Sequence, residues 1–294
     1  MKDTEYAFGV AKIRAVENRL LTSQTLESII SADSFEAAVK ILSDAAPDKK
    51  ELDFLIVKND FHNVKAVYKS MLAGRDCEKY FIEPSVIGPQ TLKQALVKKK
   101  YDELPKFLAE PAKKAYDLLT QTMDGQLFES VLDGASLKAR LELARLNEDE
   151  FSVGLAQLMT ALDDIKTAVR ASGMSKERGF YEASLAECRS LELTSLTDAA
   201  LAGQDALLEY ISLAGYEKLA ESIKISAVAF EREADNMLAD YVKSAKYQSF
   251  GLAPIAAFCL GIENEIKTVR IVLSCKKNGF DEKSIRERVR KLYE

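Results

Sequence analysis

The sequence predicts an all-α fold assembled from three similar helical subdomains, and three observations carry that expectation. Helix breakers are scarce among the 294 residues, with 6 Pro and 13 Gly, while Ala, Leu, Glu and Lys, which lose little rotamer freedom in a helix, are abundant. Apolar residues recur at steps of three and four, the period of one helix face. A short phrase (an acid or amide, then Val or Ile, then Lys) is written at Asn63-Val64-Lys65, Asp164-Ile165-Lys166 and Glu265-Ile266-Lys267. No run of β-branched alternation and no strand-flanked Asn-Gly or Asp-Gly turn competes with helix.

Taken in order, the first helix is expected in "YAFGVAKIRAVENRLL", where Tyr6, Val10, Ile13, Val16 and Leu20 share one face and Arg14, Glu17 and Arg19 lie opposite. Ser34, Thr194-Ser195 and the stretch from Asp281 to Ser284 supply side-chain oxygens at helix starts, where they satisfy backbone N–H groups that have no partner inside the helix. "YFIEPSVIGPQ", with Pro84 and Pro89 around Gly88, is the clearest linker. A softer one runs from "SGMSKERGF" through "SLELTSLTD". Asn278-Gly279 follows a helical pattern and reads as a helix stop. These breaks divide the chain into residues 1–85, 86–190 and 191–294, with one phrase in each.

The repetition is larger than the phrase. Upstream of each copy stands an ordered set of landmarks: Leu26, Ile30, Phe35, Glu36 and Leu42, then Leu92, Leu96, Tyr101, Asp102 and Leu108, then Leu207, Ile211, Tyr216, Glu217 and Ile223. Copies two and three share Phe-Glu-x-x-x-Asp, at Phe128, Glu129 and Asp133 and at Phe230, Glu231 and Asp235. After each phrase comes an aromatic stop, at Tyr80-Phe81, Gly179-Phe180 and Gly279-Phe280. The copies differ in their insertions, so the order of landmarks identifies the repeat and a fixed period does not. Its length far exceeds the ~20–50 residues of ordinary solenoid repeats. Each copy therefore reads as a subdomain, and the three either stack or close around an axis. Sequence symmetry alone does not choose.

Net charge is −5 with 47% apolar and 30% charged residues, the balance of an ordinary globular protein without the basic footprint of a nucleic-acid binder. The basic runs at Lys98 to Lys100 and Arg286 to Lys291 read as solvated helix faces. Four scattered cysteines, Cys77, Cys188, Cys259 and Cys275, suggest buried thiols in a reducing compartment. The start, "MKDTEYAFGV", lacks the apolar core of a secretory signal. The longest uncharged stretch, Tyr247 to Ile262, is 16 residues long and broken by Gly251 and Pro254, short of the roughly 20 apolar residues a spanning helix needs. A cytoplasmic protein without a transmembrane segment is expected.

No complete site of chemistry stands out in the sequence. The single histidine, His62, cannot build a His-rich metal site, and a Ser-His-acid triad would have to recruit it. Phosphate-binding glycine loops are missing. Asp163-Asp164 and Asp235-Asn236 begin but do not complete a magnesium-binding Asp-Asp-x-x-Asp box. No catalytic, cofactor-binding or metal-binding residue is predicted. The candidates that remain are Lys65, Lys166, Arg170, Lys267 and Arg270. Either the phrase makes a local ionic knot that sets helix angles in every copy, or these cations face a shared central space and meet a partner. Equivalent positions in all copies favour the structural role.

"GVAKIRAVENRLL", "NDFHNVKAVYK", "LDDIKTAVRAS", "EREADNMLADYVKSAK" and "GIENEIKTVRIVLSCKKNGFDEKSIRERVRKLY" together resemble the C subunit of the V-type/A-type rotary ATPase (ATP synthase), the counterpart of the eukaryotic d subunit. The likeness runs from residue 6 to the end and is least anchored over 84–120. It implies an all-helical funnel or cup of three subdomains around a pseudo-threefold axis. Such a protein sits peripherally on the cytoplasmic face of the membrane, on the rotor ring of proteolipid subunits, and receives the D and F subunits of the central shaft. It implies torque transmission during ATP-driven or ATP-forming ion transport, no catalysis, no cofactor and no nucleic acid. Proton or sodium specificity and the direction of the cycle stay open. The competing reading is an all-helical scaffold or adaptor unrelated to rotary ATPases.

Overall fold

A computed structural model describes residues 7, 10, 11, 13, 14, 49–248 and 251–291. Among them there is no β-strand, and extended pairing is confined to an isolated bridge between Cys188 and Leu191. The helices are α1 (Asp53–Ala73), α2 (Pro89–Val97), α3 (Lys106–Thr122), α4 (Gly125–Leu146), α5 (Glu150–Gly173), α6 (Arg178–Ser184), α7 (Leu193–Ala202), α8 (Gln204–Ile211), α9 (Glu217–Ile225), α10 (Ala227–Lys243), α11 (Ala253–Lys277) and α12 (Glu282–Arg286). Their contacts group into two units. One comprises residues 50–148 and 156–215, and the other takes residues 149–155, 216–291 and the described N-terminal positions.

In the first unit, α1, α2, α3 and α4 enclose an apolar core that includes Phe61, Val64, Leu92, Leu96, Leu108, Phe128 and Leu132. Tyr68 lies inside it, edge-on to Phe128 at 6.2 Å and tilted against Tyr116 at 5.2 Å. Burial holds its hydroxyl protonated well above the ordinary tyrosine range. Pro89 opens α2 where its missing N–H costs nothing. Asp124 starts α4 by accepting from the N–H groups of Gln126 and Leu127 at 2.8 and 3.0 Å. Farther along α4, Gly134 admits the backbone of α6: a Cβ there would stand 2.1 Å from the Ala183 carbonyl oxygen.

In the second unit, Val10 and Ile13 are helical and buried, on the face expected for them. Tyr6, Val16, Leu20, the Ser34 cap and the landmarks from Leu26 to Leu42 lie outside the described residues. The apolar run after Gly251 becomes the buried first turns of α11, with Leu252 through Cys259 in the core. Ser226 caps α10 through Ala229 N at 3.0 Å, and Asp281 caps α12 through Ser284 N at 2.8 Å. Gly279, at φ +71°, stops α11 as its sequence suggests. For α7 the cap is Glu192, whose carboxylate accepts from Ser195 N at 2.9 Å. The two hydroxyls expected there, Thr194 and Ser195, lie inside the helix.

Candidate functional site

The acid or amide of each phrase is buried: Asn63 at 0%, Asp164 at 1% and Glu265 at 0% exposure. A polar group is stable in such a place only with hydrogen bonds or with its charge removed. Asn63 does to Ile82 what a neighbouring strand would do. Its Nδ2 donates to the Ile82 carbonyl at 3.0 Å and its Oδ1 accepts from Ile82 N at 2.8 Å. One turn earlier Asp60 accepts from Val86 N and Ile87 N at 2.9 and 2.8 Å, and Asn59 donates to the Pro84 carbonyl at 2.7 Å. The stretch that reads from sequence as a linker is therefore laid down along α1 and pinned there.

The device recurs on α5. Asp164 accepts from Ala186 N at 3.1 Å, and Gln157, two turns earlier on the helix, accepts from Arg189 N at 2.6 Å. On α11, Asn264, next to Glu265, donates to the Lys291 carbonyl at 2.5 Å. Each phrase helix thus holds the irregular backbone that follows it, which has no ladder to satisfy its own N–H and C=O groups. Burial raises the Asp60 carboxyl to about 6 against the pull of its backbone donors. It raises Asp164 to about 8, where one N–H and the nearby Arg140 offset less of the cost and Asp163 adds to it.

The lysines have a different task. Lys65 pairs with Asp133 across α1 and α4, and Lys69 pairs with Glu129 one turn on. Lys267 pairs with Asp235 at 2.7 Å across α11 and α10. Both partners are the closing Asp of Phe-Glu-x-x-x-Asp, so the structure joins two motifs that the sequence presents separately. Lys166 is half-buried on α5 and Arg170 is exposed in its last turn. Arg270 is exposed on α11, three residues after Lys267. Asp163, from the incomplete magnesium box, binds the buried Arg140 at 2.7 Å. His62 Nε2 lies 3.0 Å from the Tyr80 carbonyl.

One expectation is corrected. The run from Arg286 to Lys291 is not a solvated helix face: α12 ends at Arg286, and Arg290 is buried at 8% exposure with its Nε 2.9 Å from Asp235. Lys98, Lys99 and Lys100 are exposed, at and just past the end of α2. Sequence reasoning misses Asp60, Gln157 and Asn236 as functional positions. For Asp60 a signal exists, since it interrupts the buried face of Val57, Phe61 and Val64. Among the described residues, no group of His, Cys, Asp and Glu is arranged to hold a metal ion, and no helix is long and apolar enough to cross a membrane.

The profile of the family described as ATP synthase (C/AC39) subunit matches residues 40–288, which include all three phrases and both Phe-Glu-x-x-x-Asp motifs. The chain belongs to the ATP synthase (C/AC39) subunit family. The C subunit of the V-type sodium ATPase of Enterococcus hirae is 21% identical over 321 residues, spanning 96% of this chain and 97% of that protein. As a C/AC39 family member the chain has its place in a rotary ATPase.

Proposed function

We propose that this C/AC39 protein is the non-catalytic rotor coupler of a V/A-type rotary ATPase, joining the D and F subunits of the central shaft to the proteolipid rotor ring. The carrying observation is the family match over 40–288 together with a relative aligned along almost the whole of both chains. In this reading residues 1–85, 86–190 and 191–294 are three helical subdomains around a pseudo-threefold axis, and their funnel receives the shaft. The protein sits peripherally on the cytoplasmic face and carries torque during ion transport. Helices pinned to their own connections by buried side chains suit a part that must transmit torque without yielding, because close-packed interiors deform little.

Lys65, Lys166, Arg170, Lys267 and Arg270 are the proposed partner-facing cations, and of these Arg170 and Arg270 are exposed. Lys65 and Lys267 already serve Asp133 and Asp235. Any contact they make with a partner therefore shares a charge that also fixes a helix pair. The test is co-elution of the purified chain with its own organism's D–F pair, followed by fluorescence polarisation of the labelled pair. A one-to-one complex of micromolar or tighter affinity is the expected result. Absence of a complex, with both partners folded, overturns the coupler reading.

A further inference from the structure

The C-terminal basic run lies as a strap across α10 and α11. Beyond α12 the backbone leaves the helix, and a chain of polar contacts holds residues 287–291. Arg232 donates to the Glu287 carbonyl at 2.6 Å, and Arg290 Nε meets Asp235 Oδ2 at 2.9 Å. Lys291 N donates to Asn236 Oδ1 at 2.9 Å, and Lys291 Nζ to Asp240 Oδ2 at 2.6 Å. Asn264 completes the set by donating to the Lys291 carbonyl. The helix beneath is acidic: α10 carries Glu231, Glu233, Asp235 and Asp240 against Arg232 and Lys243.

The repeat supplies an internal comparison. Asp133 and Asp235 close the same motif and accept a phrase lysine in the same way, yet the Asp133 side chain is 56% exposed and that of Asp235 is 11% exposed. Asp235 differs in holding a second cation, Arg290, on its other oxygen. The strap therefore covers a carboxylate that the sister motif leaves open. It engages α10 as a ligand would, through two cationic side chains and the Lys291 N–H, while the Lys291 carbonyl is held by α11.

We propose that residues 287–291 are an autoinhibitory strap occupying an acidic face of α10 that takes a basic, extended segment of a partner protein once the strap lifts. The occupant follows from charge complementarity, since the chain's own Arg290-Lys291 already shows the chemistry the face accepts. Residues 289–291 belong to no helix, and the outer pair, Lys291 with Asp240, is exposed on both sides (51% and 54%), so local opening costs far less than unfolding. Lifting the strap uncovers Asp235 beside Asp240, which is already exposed. Lys267 is then left sharing Asp235 with the incoming segment.

The experiment uses the full chain and a fluorescent hexa-arginine peptide, followed by anisotropy at low salt. Arg290→Gln with Lys291→Gln is expected to bind the peptide about tenfold more tightly than the parent, because two competing cations are gone and exposed charges attract most strongly when unscreened. Adding Asp235→Asn and Asp240→Asn should abolish the gain. Equal affinity of the parent and the doubly substituted chain, both folded by circular dichroism, overturns the proposal. Should the double variant fail to fold, Lys291→Gln alone breaks only an exposed pair and is expected to give about a threefold gain; no gain overturns the strap. Hydrogen exchange on the parent is a second readout, since the amides of 288–291 should exchange faster as peptide is added. Unchanged exchange at saturating peptide counts against the proposal.

Discussion

Replacing Asp164 by Asn is expected to stabilise the protein at alkaline pH and to cost about 1–3 kcal/mol at acid pH, where the amide's unmet hydrogen bonding is offset by nothing. Asp164 is 1% exposed, with one oxygen on Ala186 N, and burial raises its carboxyl from 3.8 to about 8. The native state therefore keeps a proton that the unfolded chain releases. Stability from this site is complete below the ordinary carboxyl value and falls as pH rises through about 4 to 8. Each pH unit in that interval costs about 1.4 kcal/mol, so native Asp164 carries a penalty of up to ~4 kcal/mol at pH 7. Asn keeps the acceptor for Ala186 N and has no charge to lose, but its amide must find a partner of its own. That offsets part of the gain, leaving about 1–3 kcal/mol near pH 8.

The assay is urea unfolding followed by far-UV circular dichroism at about pH 4.5 and about pH 8, on parent and variant. The parent should lose stability between the two conditions, and Asp164→Asn should flatten the dependence. A variant destabilised equally at both values would refute the reasoning, because it would mean that Asp164 is ionised in the native state and compensated by Arg140. Asp60, raised to about 6, acts in the same sense over a narrower window, so some slope below pH 6 should survive in the variant.

Gly134→Ala should cost about 3 kcal/mol or more in the same unfolding assay. The new Cβ meets Ala183 backbone at 2.1 Å, and overpacking of that kind outweighs the ~1 kcal/mol that Ala gains over Gly in a helix. A neutral or stabilised variant would show that α4 and α6 pack less closely than described. Asn63→Ala should cost about 2–3 kcal/mol, because both backbone groups of Ile82 lose their partner, with faster hydrogen exchange confined to 80–88. Uniform exchange across the first unit would contradict a local clamp. Charge reversal of Lys166 and Lys267 together is expected to weaken D–F binding at least tenfold in folded protein. Unchanged affinity would return both residues to purely structural roles.

The all-helical class is legible in the sequence because it rests on local quantities: scarce Gly and Pro, helix-period apolar faces, and caps such as Asp281 that act within one turn. The family is legible because its short motifs keep their order, even where a relative shares 21% identity. The repeated phrase announces itself, but its meaning does not. Asn63, Asp164 and Glu265 occupy one register, and only the packed structure shows that the position is buried and that Asn63 and Asp164 hold a distant backbone. Pairing of Lys65 with Asp133 and of Lys267 with Asp235 is hidden for the same reason, since the partners stand 68 and 32 residues apart.

The basic C-terminal run shows the boundary most plainly. In sequence, Arg290 is one more cation on a plausible helix, and charge composition alone assigns it to solvent. What buries it is Asp235, brought beneath it by the packing of α10 on α11. Helix formation is decided within a few residues, by rotamer freedom and hydrogen bonds four apart, and a sequence carries those terms on its face. Which polar side chain is buried depends on helices meeting across tens of residues, and that is settled only when the chain folds.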